Sequence, residues 1–172
     1  MTGANDNPTG GRLGELRARV YTDREALAET LKRDHADKTI VFTNGCFDLL
    51  HVGHVVYLNQ ARALGDLLVL GLNADGSVRN LKGEGRPVNA ELDRALVLAA
   101  LECIDFVVIF PEDTPIETLR IIQPDIHTKG GDYKVDDLPE KETVLAGGGR
   151  IEILPFQTGY STTGILDKAK DS

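Results

Sequence analysis

Five short apolar runs alternate with helical stretches along this chain, and this alternation restricts the possible folds more than any other feature. The runs cover residues 39–43, 67–72, 106–110, 126–128 and 150–154. The first three are continuously apolar, which is typical of strands that are buried on both faces. Strands separated by helices predict an α/β domain with a mostly parallel five-stranded sheet and helices on both faces.

Helix-start signals support this alternation. Thr22 followed by Glu25 forms a capping box, Asn89 is a suitable N-cap, and Pro115 suits the first turn of a helix that opens at Thr114. The other predicted helices cover residues 23–34, 54–64, 90–101, 138–146 and 164–170. The first 19 residues are polar and have no apolar period, so we expect a mobile tail followed by one domain over 20–172.

Charge and cysteine content exclude several classes of protein. The chain has 19 Lys and Arg against 27 Asp and Glu, a formal net charge of -8, which disfavours nucleic acid as a partner. It contains only two cysteines, Cys46 and Cys103, so a disulfide framework is absent and a cytoplasmic location is expected. Since no apolar run approaches ~18 residues, we expect no contact with a membrane.

The clearest chemistry follows the first predicted strand, where ligands bind in parallel sheets of this kind. The segment reads Thr43-Asn44-Gly45-Cys46-Phe47-Asp48, and after two leucines it continues as His51-Val52-Gly53-His54. Gly45 is expected to allow a sharp turn and a close approach to a ligand. His51 and His54 lie at the start of a helix, whose free N–H groups and dipole favour an anion. This arrangement predicts a polyphosphate site.

A metal pair is the main alternative for these two histidines. The remaining histidines, His35 and His127, have no matching spacing, and zinc usually requires three or four protein ligands. Neither a dinucleotide-binding glycine motif nor a P-loop occurs in the sequence, which argues against a dehydrogenase or a P-loop kinase. A nucleophilic role for Cys46 is disfavoured because no base lies beside it in the sequence.

Three further segments supply cations or hydroxyls for phosphate. They are the glycine-flanked loop around Lys82, the segment Lys129-Gly130-Gly131-Asp132, and the helix start Ser161-Thr162-Thr163. We expect the Lys82 loop to be mobile and to close over a ligand. Each segment also has a plainer interpretation, namely a solvated loop, a turn and a simple N-cap. The sequence leaves open whether Arg94 has a role in the site or only forms a salt bridge. It also leaves open whether Asp48 binds a ligand or only fixes the loop.

These residues resemble the nucleotidyltransferase superfamily with an HxGH motif, and within it the adenylyltransferase domain of ADP-heptose synthesis. The supporting strings are Leu81-Lys82-Gly83, Arg86-Pro87-Val88-Asn89, Glu112-Asp113-Thr114-Pro115, Lys129-Gly130-Gly131-Asp132-Tyr133 and Ser161-Thr162-Thr163. The resemblance covers residues 38–168. It implies a Rossmann-like fold of the nucleotidyltransferase type, with ATP and D-glycero-β-D-manno-heptose 1-phosphate as substrates. It also implies Mg²⁺ carried by the triphosphate, and a homodimer.

We assign His51, His54 and Lys82 to catalysis, with no metal ligand in the chain. The predicted nucleotide and phosphate contacts are Thr43, Asn44, Gly45, Cys46, Phe47, Gly53, Lys129, Gly130, Ser161, Thr162 and Thr163. The predicted contacts to the sugar phosphate are Asp48, Arg86, Gly131 and Asp132. Two alternatives stay open, a cytidylyltransferase for glycerol phosphate or another polyol phosphate, and a nucleotide-binding module without catalysis.

Overall fold

Six strands, all parallel, form one sheet in the computed structural model, which describes residues 11–155, 159, 162 and 164–166. The strands are β1 (Val20–Tyr21), β2 (Ile40–Gly45), β3 (Leu67–Asn73), β4 (Phe106–Phe110), β5 (Ile126–Gly130) and β6 (Arg150–Leu154). The helices are α1 (Arg12–Arg17), α2 (Arg24–Asp34), α3 (Val52–Arg62), α4 (Asp75–Lys82), α5 (Glu91–Ala99), α6 (Ile116–Ile122) and α7 (Lys141–Ala146). The α/β class and the parallel sheet are therefore confirmed.

The strand order is β1-β4-β3-β2-β5-β6. The chain builds outward from β2 through β3 and β4, and then returns to the other side of β2 to add β5 and β6. The topological switch point therefore lies between β2 and β5, and a ligand is expected beyond their carboxyl ends. The prediction of five strands was wrong because β1 has only two residues, too few to give an apolar run.

The sheet separates two apolar layers. Leu68, Leu70 and Leu72 of β3 point to the layer that holds α3 and α5, while Val69 points to the layer that holds α2, α6 and α7. All four side chains are fully buried. This burial on both faces explains why the strand is continuously apolar, and it makes the sheet a rigid base for the segments that follow its strands.

The helix boundaries differ from the sequence prediction at several points. Asp23, not Thr22, caps α2, because its carboxylate accepts from the N–H groups of Glu25 and Ala26 at 2.9 and 3.1 Å. Pro115 is the N-cap of α6 and does not lie in its first turn. Helix α5 begins after Ala90 and has no side-chain cap, so Asn89 does not serve as one.

Helix α4 was not predicted at all, since its eight residues contain one glycine and several polar side chains. The predicted N-terminal tail contains the six residues of α1, none of them buried, and residues 1–10 lie outside the described part. Most of the helix predicted over 164–170 also lies outside it. No helix in the part of the chain that the structure describes is long and apolar enough to cross a membrane.

Candidate active site

The loop between β2 and α3 makes its sharp turn at Phe47. Phe47 has a φ of 41°, whereas Gly45 has no left-handed backbone, so the prediction that Gly45 makes the turn was wrong. Glycine at position 45 instead leaves room for the Phe47 ring, because a Cβ there would lie 2.9 Å from that ring. The absence of a side chain lets that ring fold back over the end of β2 and close one wall of a cavity.

His51 and His54 stack against each other at the start of α3. Their ring centroids are 3.8 Å apart with 19° between the planes, and the Phe47 ring lies 5.1 Å from His54. His51 is the N-cap residue, and its extended backbone turns the chain into the helix. The start of α3 thus brings both imidazoles to one place, where the rings are in direct contact.

Burial keeps both imidazoles neutral at physiological pH. It lowers the pKa of His51 below its ordinary value. The pKa of His54 falls to about 4, through burial first and then through the charges of His51 and Lys82. His54 Nδ1 is buried and finds no hydrogen-bond partner among the described residues. A neutral imidazole keeps one N–H, so each ring can donate one hydrogen bond.

A cavity of about 350 Å³ opens beside this pair at the switch point. It is lined by Asn44, Gly45, Cys46, Phe47, His54, Tyr57, Lys82, Lys129, Gly130 and Tyr133. All of these except the two tyrosines were predicted as site residues. The cavity has two lysines and no carboxylate among its described lining residues, so it offers positive charge on a chain with a net negative charge.

Lys129 reaches the cavity from the end of β5. Its Nζ donates to Asn44 Oδ1 at 3.1 Å and lies 2.9 Å from Glu140 Oε1. Glu140 is 1% exposed and also accepts from His127 Nε2 at 3.2 Å. Sequence analysis missed Glu140 and His127, because no local spacing links a residue of β5 to one that lies 13 positions further along.

Lys82 reaches the cavity from the opposite side, as the last residue of α4. The prediction that Lys82 lies in a loop was therefore wrong. The loop begins at the next residue, Gly83, and its glycines Gly83 and Gly85 have φ values of 90° and 83°. The Lys82 side chain is exposed and makes no hydrogen bond or ion pair with any described residue. Its charge nevertheless contributes to lowering the pKa of both His54 and Asp48.

Thr43 lies beneath the cavity and does not line it. Its hydroxyl is 2.7 Å from the Tyr57 hydroxyl, which is 3.1 Å from Thr128 Oγ1, and all three side chains are buried. These bonds join α3 to β2 and β5 under the histidines. Tyr57 follows His54 by three residues on α3, so the spacing that paired the two histidines also places the Tyr57 side chain on the face of the helix that carries His54.

Asp48 and Arg86, both predicted to contact the sugar phosphate, are bound to each other. The Arg86 guanidinium donates to Asp48 Oδ2, and Val88 N donates to Oδ1 at 2.7 Å. Burial alone would raise the pKa of Asp48, but these donors together with nearby positive charge lower it. The pair ties the loop before α3 to the segment that follows α4.

Arg94 also joins the loop before α3 to the segment that follows α4. It is 3% exposed and donates to the carbonyls of Cys46, Asn73 and Asn89 and to the Asp75 carboxylate. Three backbone carbonyls thus share one guanidinium, so Arg94 fixes the backbone of the site loop. It also lines, with Asp48 and Phe47, a second cavity of about 440 Å³ next to the first.

The remaining predicted residues are spread around this site. Gly131 has a φ of 117° and donates from its N–H to Leu154 O, and Asp132 is exposed outside the cavity lining. Gly53 lies within α3, between the histidines. Thr162 Oγ1 donates to Leu49 O at 3.2 Å, which brings the C-terminal segment to the site loop. The predictions for Ser161 and Thr163 lie outside the described residues.

The described residues provide no cluster of three or more His, Cys, Asp or Glu side chains that could hold a metal ion. Cys46 lines the cavity, but burial, the largest effect on it, raises the pKa of its thiol. A protonated thiol is a weak nucleophile. The chemistry that the cavity does offer is charge neutralisation and hydrogen-bond donation to an anion.

A parallel sheet with lysines and a neutral histidine pair at its switch point is the arrangement of a nucleotide-binding α/β domain. The sequence profile of the cytidylyltransferase-like family matches residues 42–165. The chain belongs to this family.

Curated relatives agree with this assignment. The chain is 54% identical over 149 residues to the bifunctional protein HldE of Citrifermentans bemidjiense, covering 86% of this chain and 31% of that protein. It is 51% identical over 160 residues to HldE of Geobacter sulfurreducens, covering 92% and 32%. The chain therefore spans under a third of the length of these relatives.

Two solved structures are similar. The lipopolysaccharide core biosynthesis protein from Thermoplasma volcanium has 29% identity and a TM-score of 0.60, covering 72% of this chain and 99% of that one. The pantoate-beta-alanine ligase from Francisella tularensis has 13% identity and a TM-score of 0.57, covering 88% and 76%. At that identity, the second likeness shows the fold alone.

Proposed function

We propose that this protein transfers the adenylyl group of ATP to D-glycero-β-D-manno-heptose 1-phosphate, giving ADP-heptose and pyrophosphate. One observation carries the proposal: a single cavity at the switch point joins His54, Lys82 and Lys129 to the backbone of residues 44–47. The choice of substrates rests on the resemblance to the adenylyltransferase domain and on the high identity to HldE. The likeness to a lipopolysaccharide core biosynthesis protein of Thermoplasma volcanium also supports it.

The reaction needs little proton chemistry from the protein. A phosphate oxygen of the sugar phosphate attacks the α-phosphorus of ATP, and the bond from that phosphorus to the oxygen of the β-phosphate breaks. A phosphate monoester has a second pKa of ~6, so the attacking group is already an anion at neutral pH. The main difficulty is to bring two polyanions together, so positioning and electrostatic stabilisation carry most of the catalysis.

The two histidines act as neutral hydrogen-bond donors in this proposal. Their stacked rings donate to phosphate oxygens that gain charge as pyrophosphate leaves, and their low pKa values make them donors without a fixed charge. Lys82 and Lys129 supply the positive charge from opposite sides of the cavity. The backbone of residues 44–47 passes along the α-phosphate.

The other predicted contacts complete the two substrates. We assign Ser161, Thr162 and Thr163 to the β- or γ-phosphate, supported by the bond that joins Thr162 to the site loop. We assign Asp48, Arg86, Gly131 and Asp132 to the sugar phosphate. Asp48 accepts two bonds from the described residues, from Arg86 and from Val88 N, and lies at the wall of the second cavity.

Mg²⁺ enters this proposal as part of the substrate, bound to the triphosphate. Mg²⁺ is usually held by one or two carboxylates of the protein together with substrate phosphates, and the described lining of the cavity has no carboxylate and two lysines. The residues present do not form a site for the ion.

We also expect a homodimer in the cytoplasm. Sedimentation velocity tests the oligomeric state, and cell fractionation tests the location.

The decisive experiment measures pyrophosphate release with each of the four nucleoside triphosphates and with two acceptors, heptose 1-phosphate and glycerol phosphate. We expect turnover with ATP and the heptose phosphate. Preference for CTP and glycerol phosphate would instead assign the chain to the polyol-phosphate cytidylyltransferases. Nucleotide binding without pyrophosphate release from any pair would make it a binding module.

A further inference from the structure

Glu140 is a buried carboxylate that the proposed reaction does not use. It precedes α7, is 1% exposed, and lies behind Lys129, outside the cavity lining. Its Oε1 lies 2.9 Å from Lys129 Nζ and 3.2 Å from His127 Nε2. A buried carboxylate is costly unless it is paired and hydrogen-bonded, so both partners are needed to keep it there.

The contacts of Lys129 restrict where its charge can point. A lysine ammonium has three N–H donors. One is directed to Glu140 Oε1 and one to Asn44 Oδ1, and the third meets no acceptor among the described residues. Since Lys129 lines the cavity, this third N–H is the one left for a ligand. Two fixed acceptors on one ammonium make its position far more defined than that of a free lysine.

We infer that Glu140 is a positioning residue: supported by His127, it holds the Lys129 ammonium against Asn44 so that one N–H faces a phosphate of the bound triphosphate. The inference rests on the proposed function, which places that triphosphate in the cavity. The His127 ring supports Glu140 from the side of the sheet, because it is fully buried and lies between β2 and Glu140.

If Glu140 acted through its charge alone, it would weaken triphosphate binding, whereas positioning of Lys129 would strengthen it. Burial raises the pKa of Glu140, but the bond from His127 and the charge of Lys129 outweigh it and lower the pKa to about 2. Glu140 is therefore ionised at neutral pH and cancels part of the positive charge of the cavity. By charge alone it weakens triphosphate binding, whereas by positioning it strengthens binding.

Two conservative variants separate these roles. Glu140→Gln keeps the acceptor oxygen and removes the charge, while Glu140→Asp keeps the charge and draws the acceptor back by one methylene. The full-length chain and each variant are titrated with ATP and Mg²⁺ by calorimetry. We expect ATP to bind about tenfold more weakly to Glu140→Asp and within about threefold of wild type to Glu140→Gln, because misplaced contacts are costly. Glu142→Asp, an exposed change in α7, is the matched control.

A double-mutant cycle then tests whether Glu140 acts through Lys129. In the Lys129→Ala background, Glu140→Asp should weaken ATP binding no further, because coupled residues give non-additive effects. Thermal unfolding of each variant shows that it is folded. Normal binding by Glu140→Asp, binding by Glu140→Gln that is more than about threefold tighter than that of wild type, or additive effects in the cycle would each overturn this inference and leave the proposed function standing. Failure of the wild-type chain to bind ATP would overturn the proposed function together with it.

Discussion

The two lysines of the cavity are held in opposite ways. Lys129 extends from a strand inside the sheet, is 19% exposed, and is bound by Asn44 and Glu140. Lys82 ends a helix next to two glycines with left-handed backbone, is exposed, and has no partner among the described residues. The same residue type therefore enters the site once from a strand inside the sheet, with two partners, and once from a helix end, with none among the described residues.

The two lysines also act on different titratable neighbours. Lys129 stabilises the ionised form of Glu140 and helps to lower its pKa to about 2. Lys82 opposes a charge on His54 and adds to the burial that lowers its pKa to about 4. A fixed lysine that is already paired suits ground-state binding of a triphosphate. An unpaired lysine that can approach suits the charge that develops in the transition state.

The largest expected effect concerns His54, which lines the cavity together with both lysines. His54→Ala should lower kcat by about 10²–10³, the loss typical of a preorganised donor, with little change in the KM for ATP. Steady-state pyrophosphate release measures both constants. His35→Ala, which changes a histidine distant from the cavity, is the control. Near-normal turnover of His54→Ala would remove the histidines from the mechanism.

The next effect compares the lysines directly. Lys82→Ala should lower kcat by about 10² with little change in KM, because it loses charge stabilisation in the transition state. Lys129→Ala should raise the KM for ATP by about tenfold with a smaller effect on kcat, because it loses a ground-state contact. The reverse pattern, or equal effects of both variants on both constants, would show that the different supports of the two lysines have no kinetic meaning.

Local sequence patterns predicted the loop that carries the histidines better than they predicted the surroundings of the two lysines. The segment from Asn44 to His54 lies within one strand, one turn and one helix start, so its spacing alone brought the residues together. The Lys82 segment was placed after the correct strand, but polar residues concealed α4. Glu140, His127 and Arg94 act through contacts between elements distant in sequence. Such contacts depend on strand order, which a single sequence does not contain.

The different mobility of the two supports is tested by amide hydrogen exchange. Binding of ATP should slow exchange over residues 83–89 by about tenfold or more, because the segment closes on the phosphates. Exchange over β5 should stay nearly unchanged, since its backbone is already paired with β2 and β6. Equal protection of residues 83–89 with and without ATP would count against closure of the Lys82 side.

The smallest effect is on stability against pH, where each lysine has its own titrating neighbour. Between pH 6.5 and about 4, unfolded chains protonate His54 while the folded protein does not, so the free energy of unfolding falls as pH is lowered. Between pH 4.5 and about 2, Glu140 causes a second fall in the same direction. Each step should amount to about 1–2 kcal/mol, below the full value of the shifts because water still reaches part of the site.

Urea unfolding at pH 7, 5.5, 4 and 3 separates the two steps by comparison with wild type. His54→Gln should reduce the fall in the free energy of unfolding at the higher pH, and Glu140→Gln should reduce the fall at the lower pH. Lys82→Ala should reduce mainly the upper step, since it removes a charge that opposes protonation of His54. The lower step should change less, because Lys82 is the smallest of the influences that lower the pKa of Asp48. Lys129→Ala should reduce mainly the lower step, because Glu140 then loses the charge that favours its ionised form. A smaller change in the upper step is expected, because Lys129 also helps to lower the pKa of His127. If either lysine variant changes both steps equally, the lysines share one electrostatic environment, and the distinction between a paired and an unpaired lysine does not hold.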